Sequence, residues 1–205
     1  MNDREFAAAL RDRDAILILS HLRPDGDTLG SGAALCSALR RMGKTAYLFP
    51  NPETTARYLP YVAQFFAPAD FVPACVVAVD IATPNLFPQG FSGAVDLCID
   101  HHAGNSGYAD FTLLDGSAAA AAELMYRVIL EMGVDITPHI ADCLYTGVAT
   151  DTGCFKFSST TANTHTVAAK LIEAGCHVEE LNTLLFDTKP RARMEAERIA
   201  RNHLE

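Results

Sequence analysis

The chain has 205 residues, 49% of them hydrophobic and 20% charged, which is enough apolar material to bury a globular core. Its formal charge of −9 argues against a protein that grips long duplex nucleic acid, because such binding needs many phosphate-neutralising lysines and arginines. No apolar run approaches the roughly 18–20 residues of a membrane span, and the N-terminus lacks the basic-then-apolar order of a signal peptide. A soluble cytoplasmic protein with no membrane partner is therefore expected. The six cysteines (Cys36, Cys75, Cys98, Cys143, Cys154, Cys176) form no C-x-x-C pair and read as reduced core residues, not as a disulfide or zinc framework.

In chain order, AILILS (15–20) is a continuous apolar run suited to a strand buried on both faces. TLGSGAALCSALRRMG (28–43) follows with helical spacing and Gly43 as a stop. Short strand-like runs recur at 45–50, 75–80, 95–100 and 111–115, with helical patterns at 52–66, 117–133 and 136–153. Strands alternating with helices specify an α/β fold with a parallel sheet and helices on both faces. Beyond Gly153, residues 154–158 read as a strand or turn, then a Ser/Thr/Asn cluster caps a helix ending at Gly175. Residues 177–186 suit one more short helix. The charged tail 187–205, with Pro190 at a helix start, has little to bury.

Four acidic or imidazole clusters fall just after these elements: His21, Asp25 and Asp27; Asp80; Asp100, His101 and His102; and Asp151. Each has an ordinary explanation by itself. Asp25-Gly26 can form a turn, Asp27 or Thr28 can cap a helix, and Asp80 and Asp151 can do the same. Taken together they resist it, because strand-end loops of one parallel sheet converge on one crevice. Several carboxylates there, with few basic residues nearby, cannot all stay ionised without a cation. Carboxylates mixed with imidazoles and no cysteine favour Mn²⁺, Mg²⁺ or a similar ion over structural zinc. Four aspartates and at least two histidines exceed the needs of one ion, so two ions about 3.5–4 Å apart are expected, suited to hydrolysis at phosphorus.

HLRPDGDTLGS, VDIAT, DHH and DTGCFKFSSTT resemble, in order and spacing, the four motifs of the DHH phosphoesterase superfamily, over roughly residues 6–186. Within it the segment FKFSSTTANTHTVAAKLIEAG is most similar to the RecJ-like nanoRNase group of oligoribonucleases and 3'-phosphoadenosine 5'-phosphate phosphatases. The resemblance implies a five-stranded parallel sheet of order 2-1-3-4-5. It implies that His21, Asp25 and Asp80 hold one Mn²⁺ and that Asp27, Asp80, His101 and Asp151 hold the other, with Mg²⁺ or Co²⁺ as substitutes. His102 would face the substrate phosphate, as electrophile or proton donor. Asp100 would be a carboxylate that holds a ligand histidine. Ser31 and Gly32, early in the helix after Asp27, are candidate phosphate donors. His165, Arg23 and Lys156 are set aside as packing or solvated residues. The implied partners are short single-stranded oligonucleotides or small phosphorylated nucleotides, and a homodimer is compatible with the family. A cyclic or linear dinucleotide phosphodiesterase, an inorganic pyrophosphatase and a nucleotide-sensing module without turnover stand as alternatives. The expected organisation is a DHH catalytic domain over 1–186 and, over 187–205, the start of a linker helix leading to a second, DHHA1, domain cut off at Glu205.

Overall fold

The computed structural model describes residues 1–189 and 191–203. In chain order its helices and strands are α1 (Asp3–Arg11), β1 (Ile16–Leu19), α2 (Gly26–Arg41), β2 (Ala46–Leu48), α3 (Leu59–Val62), β3 (Cys75–Val79), β4 (Leu97–Asp100), β5 (Phe111–Leu114), α4 (Ala121–Glu131), α5 (Pro138–Asp151), α6 (Ala162–Glu173), α7 (Val178–Asn182) and α8 (Arg191–Arg201). The strands form one all-parallel sheet in the order β2-β1-β3-β4-β5. Ile18 pairs with Leu48 on one side and Val77 on the other, and Val77 pairs in turn with Leu97. The order of strand succession reverses at the β1/β3 junction, β2 lying to one side and β4 and β5 to the other, so the loops leaving β1 and β3 splay apart and open a crevice at their carboxyl ends.

Alternate residues of β1 serve two cores, as the period of two in a strand requires. Ile16 and Ile18 join the larger one, which also holds Phe6, Leu35, Leu124, Ile140 and Leu171 from α1, α2, α4, α5 and α6. Leu17 and Leu19 face a smaller cluster with Ala78, Ile81, Val95 and Cys98. Helical cover is uneven between the faces: the smaller core is closed mainly by loops carrying Phe49, Phe71, Phe87, Phe91 and Tyr108, with a 3-10 turn at Pro84–Leu86. Pro84, Pro88, Gly90 and Gly93 keep this β3–β4 connection from forming a longer helix. Aromatic edges fill the gap, with Phe87 lying 5.5 Å from Phe91 and 5.2 Å from Tyr108, centroid to centroid.

Two local readings shift, and a third is resolved between its alternatives. The 52–66 pattern yields only α3 and a 3-10 turn at Ala63–Phe65. The 154–158 segment is a turn, with Cys154 and Phe155 at φ +59° and +62°. Residues 178–187 split into α7 and a π-helical turn at Thr183–Asp187. α8 buries none of its residues, and Pro190, the expected helix start, lies outside the described residues. Among the described residues no helix is long and apolar enough to cross a membrane.

Candidate metal centre

The loop after β1 begins at His21 and ends at the first turn of α2. The His21 amide donates to Thr28 Oγ1 (3.3 Å), which itself donates to the Val79 carbonyl (2.7 Å), so the start of α2 is pinned to the end of β3. Asp25 is the N-cap of α2, and its Oδ1 accepts from the amides of Asp27 (3.0 Å) and Thr28 (3.2 Å). That leaves Oδ2 directed at His21 Nε2, 3.5 Å away. Asp80, directly after β3, has a φ of +60°, a left-handed conformation that costs a non-glycine residue about 1–3 kcal/mol. Its Oδ2 lies 3.8 Å from His21 Nε2, and its Oδ1 lies 3.4 Å from His101 Nε2.

Asp27 is fully buried. Its carboxylate accepts from the amides of Ala121 (2.6 Å) and Ala122 (2.9 Å) at the start of α4, whose own N-cap, Ala120, offers no side-chain acceptor. One helix therefore caps another. The approach depends on small residues: a Cβ on Gly30 of α2 would collide with the Cys143 carbonyl of α5, and one on Gly26 with the Thr150 side chain. This close packing brings Asp151, the last residue of α5, to the crevice. Within 3.2 Å of His101 Nδ1 lies the Ala118 carbonyl; with Nδ1 donating there, the neutral ring presents its Nε2 lone pair. That Nε2 stands 3.4 Å from Asp151 Oδ2 and 3.9 Å from Asp27 Oδ2.

Two atoms at the heart of this cluster, Asp80 Oδ1 and His101 Nε2, are buried without a hydrogen-bond partner among the described residues. Buried polar atoms are normally partnered, so this pair marks a place for a ligand. The surrounding charge agrees. Burial, reinforced by Asp80 and Asp151, raises Asp27 well above the usual carboxylate range. Burial raises Asp80 as well, against the pull of His101. Asp151 is pushed up to about 6, chiefly by burial, with Asp80 and Asp25 adding to it against His101. Burial disfavours the charged form of His101, but Asp80, Asp27 and Asp151 outweigh it and lift the group to about 10. A cation relieves the three raised carboxylates at once and takes the place of the proton on His101. Oxygen and nitrogen donors fall into three sets among the described residues, namely His21, Asp25, Asp80, then Asp27, His101, Asp151, and also Asp80, His101, His102, each with its donor atoms within 4.8 Å of one another. The residues thus fit two cations, with Asp80 facing the first two sets.

His102 points differently. Its Nδ1 donates to Asp100 Oδ1 (2.8 Å), its amide donates to the same oxygen (3.2 Å), and half of its side chain is exposed. Asp100 itself is fully buried. Burial pushes its carboxyl up, but the donors from His102 and Asn105 outweigh that and hold it below the usual range. The Asp100 hydrogen bond raises His102 in return.

A model described as "DHH family, N-terminal domain" matches residues 15–148. The chain belongs to the DHH family. It is 36% identical over 172 residues to a bifunctional oligoribonuclease and PAP phosphatase NrnA of Thermus thermophilus, covering 83% of this chain and 53% of that protein. A protein of the same name from Bacillus subtilis is 32% identical over 183 residues, with 86% and 58% covered. The chain thus spans about half the length of the curated relatives it matches. Among solved structures, an exopolyphosphatase-related protein from Bacteroides fragilis superposes with a TM-score of 0.82 at 22% identity, covering 94% of this chain and 62% of that one, which shows a shared fold.

In this DHH chain the structure brings His21, Asp25, Asp27, Asp80, His101 and Asp151 into one cluster, with His102 and Asp100 beside it. One expectation needs correction. Ser31 is fully buried and its hydroxyl donates to Asp27 Oδ1 (3.2 Å), while Gly32 packs against Leu48 and Ile18. Both lie in the second turn of α2, past the free N–H groups of the helix start, so neither offers a free backbone donor there. Asp100 holds His102, and the carbonyl of Ala118 holds His101. Sequence reasoning missed Asn105, the Ala118 carbonyl and the Ala121 and Ala122 amides. Backbone groups leave no side-chain signal. Asn105 did leave one, as an asparagine before Ser-Gly just past the histidine pair.

Proposed function

We propose that this DHH chain carries the catalytic centre of a phosphoesterase that hydrolyses short RNA oligonucleotides, 3'-phosphoadenosine 5'-phosphate, or both, with two Mn²⁺ ions. The observation that carries this reading is the buried, unpartnered pair Asp80 Oδ1 and His101 Nε2 among four carboxylates. The donor types favour Mn²⁺, with Mg²⁺ or Co²⁺ as substitutes. His21, Asp25 and Asp80 would hold one ion, and Asp27, Asp80, His101 and Asp151 the other. When bound, the ions supply positive charge at the phosphoryl oxygens and acidify a bound water. His102 is assigned to the substrate: Asp100 accepts its Nδ1–H, which fixes the ring and favours the protonated imidazolium, whose Nε2–H would then donate to a phosphoryl or leaving oxygen. The substrate class follows the activity for which the two NrnA relatives are named.

The test is a substrate panel offered to the purified protein with Mn²⁺: an RNA dinucleotide, 3'-phosphoadenosine 5'-phosphate, a cyclic dinucleotide and pyrophosphate. Release of mononucleotide from the first or phosphate from the second is expected. Turnover of pyrophosphate alone, or of none of the four, would overturn the assignment. His102→Gln should keep Mn²⁺ binding and lower turnover roughly 100-fold, the scale of a lost proton donor.

A further inference from the structure

Asn105 sits in the turn after β4, its amide N–H donating to the His102 carbonyl at 2.9 Å. Its side chain spans two loops. Nδ2 donates at 2.6 Å to Asp100 Oδ2 and at 3.3 Å to the carbonyl of Ile81, the residue after Asp80. Its Oδ1 accepts from the Gly107 amide at 2.8 Å, so only one orientation of the carboxamide satisfies its neighbours. Gly107 has a φ of +66°, a conformation that suits glycine and turns the chain back toward the amide.

The two oxygens of Asp100 are consequently divided between two residues. Oδ1 belongs to His102, through both its amide and its ring, and Oδ2 belongs to Asn105. A carboxylate rotates about its terminal torsion in a broad, shallow well, so a partner on one oxygen alone does not fix its plane. With Asn105 on the far oxygen, that plane is set, and with it the direction of the His102 ring. The Ile81 carbonyl has a second donor, Tyr108 Oη at 2.8 Å, so loss of Asn105 leaves Ile81 partnered and falls chiefly on Asp100.

We infer that Asn105 is a positioning residue: it clamps Asp100 Oδ2, and through Asp100 it fixes the imidazole of His102 toward the substrate. The inference rests on the reading of His102 given under Proposed function. It is tested with Asn105→Ala and the near-isosteric Asn105→Leu, which keeps the volume if the smaller side chain unsettles the turn. Both variants should lose about 10-fold in kcat, the scale seen when an outer hydrogen-bond partner of a site histidine is removed. KM and the number of Mn²⁺ bound per chain should not change. In the Mg²⁺-loaded protein, the His102 Nδ1–H proton resonance, identified by its absence in His102→Gln, should shift and exchange faster in both variants. An unchanged kcat, or a fall in kcat matched by loss of bound Mn²⁺, overturns the clamp. If the wild-type protein turns over none of the panel, the functional reading fails separately. An unmoved His102 resonance would still refute the clamp in that case.

Discussion

His21 and Asp25 stand at the rim of the crevice with side chains 19% and 49% exposed, whereas Asp27, on the far side of Asp80, is 0% exposed. The rim set hangs on one loop and on the cap of the helix that the loop feeds. The inner set is assembled from the starts and ends of α2, α4 and α5 and the loop after β4, so its residues also hold the fold together. Asp25 caps its own helix locally, while Asp27 caps a helix nearly a hundred positions further along the chain. The difference teaches that a side chain at the rim can be changed with only local cost to the fold. Asp27 of the inner set cannot be removed without loosening the helices around it.

The largest effect should come from the residue common to both sets. Asp80→Ala is expected to abolish binding at both positions and cut turnover at least about 100-fold, the equivalent of the several kcal/mol a metal contributes. Full occupancy of two ions per chain in that variant would remove Asp80 from its shared role. Next, Asp27→Ala should lower unfolding free energy by about 2–4 kcal/mol, because two buried amides lose their acceptor, offset in part by relief of a crowded carboxylate. Asp25→Ala should cost only about 1 kcal/mol, a local cap. Denaturant titrations giving equal losses would erase the distinction between rim and interior. Smaller again, Gly30→Ala should push α2 away from α5 at about 1–2 kcal/mol. It should also weaken the inner ion in preference to the rim ion, since only the inner set spans those two helices; calorimetric titration with Mn²⁺ reads this as one weakened class of site.

The mildest effect concerns pH. In metal-free protein burial, as the largest influence, raises Asp151 to about 6 and Asp27 as well, whereas His101 is raised to about 10 by Asp80, Asp27 and Asp151 against the opposing effect of its burial. Groups with raised folded values stabilise fully when protonated and lose that contribution as pH rises through the folded value. Metal-free protein should therefore gain roughly 1 kcal/mol or more in stability as pH falls from about 7 to about 5. Asp25 and Asp100, held below the usual range, act in the opposite sense, but only at more acidic pH. With Mn²⁺ present the trend between about pH 7 and 5 should vanish or invert, because protons then compete with the ion. Thermal melts at both values, with and without Mn²⁺, decide it.

Much of this architecture was legible in the residues. Each strand announced itself as a short apolar run, and β1, expected at 15–20, is observed at Ile16–Leu19. The convergence of the loops after β1, β3 and β4 followed from the parallel sheet, whereas Asp151 ends α5 and reaches the crevice through helix packing. α2 begins two residues before the expected start, because Asp25 and not Asp27 is its cap. α1 was missed although it carries a full capping box between Asn2 and Glu5 and a buried stripe of Phe6, Ala7 and Leu10. Ser31 and Gly32 read as candidate phosphate donors, yet Ser31 donates to Asp27 and Gly32 packs on Leu48 and Ile18, places that only the packing around α2 reveals. The capping of α4 by Asp27 was invisible for a deeper reason: its donors are backbone amides, identical at every non-proline residue.

The spelling Asp-Gly-Asp at 25–27 now acquires a geometric meaning. Asp25 stands just outside α2 and Asp27 is its second residue, so the two carboxylates leave the same turn toward different donor sets. An α-helix advances about 100° per residue, so one residue inserted between them would swing Asp27 away from α4. The same insertion would carry Gly30 off the face it shares with α5. The three letters therefore work as a fixed ruler: chemistry and helix packing are read from one starting phase, and neither can be lengthened without misaligning the other.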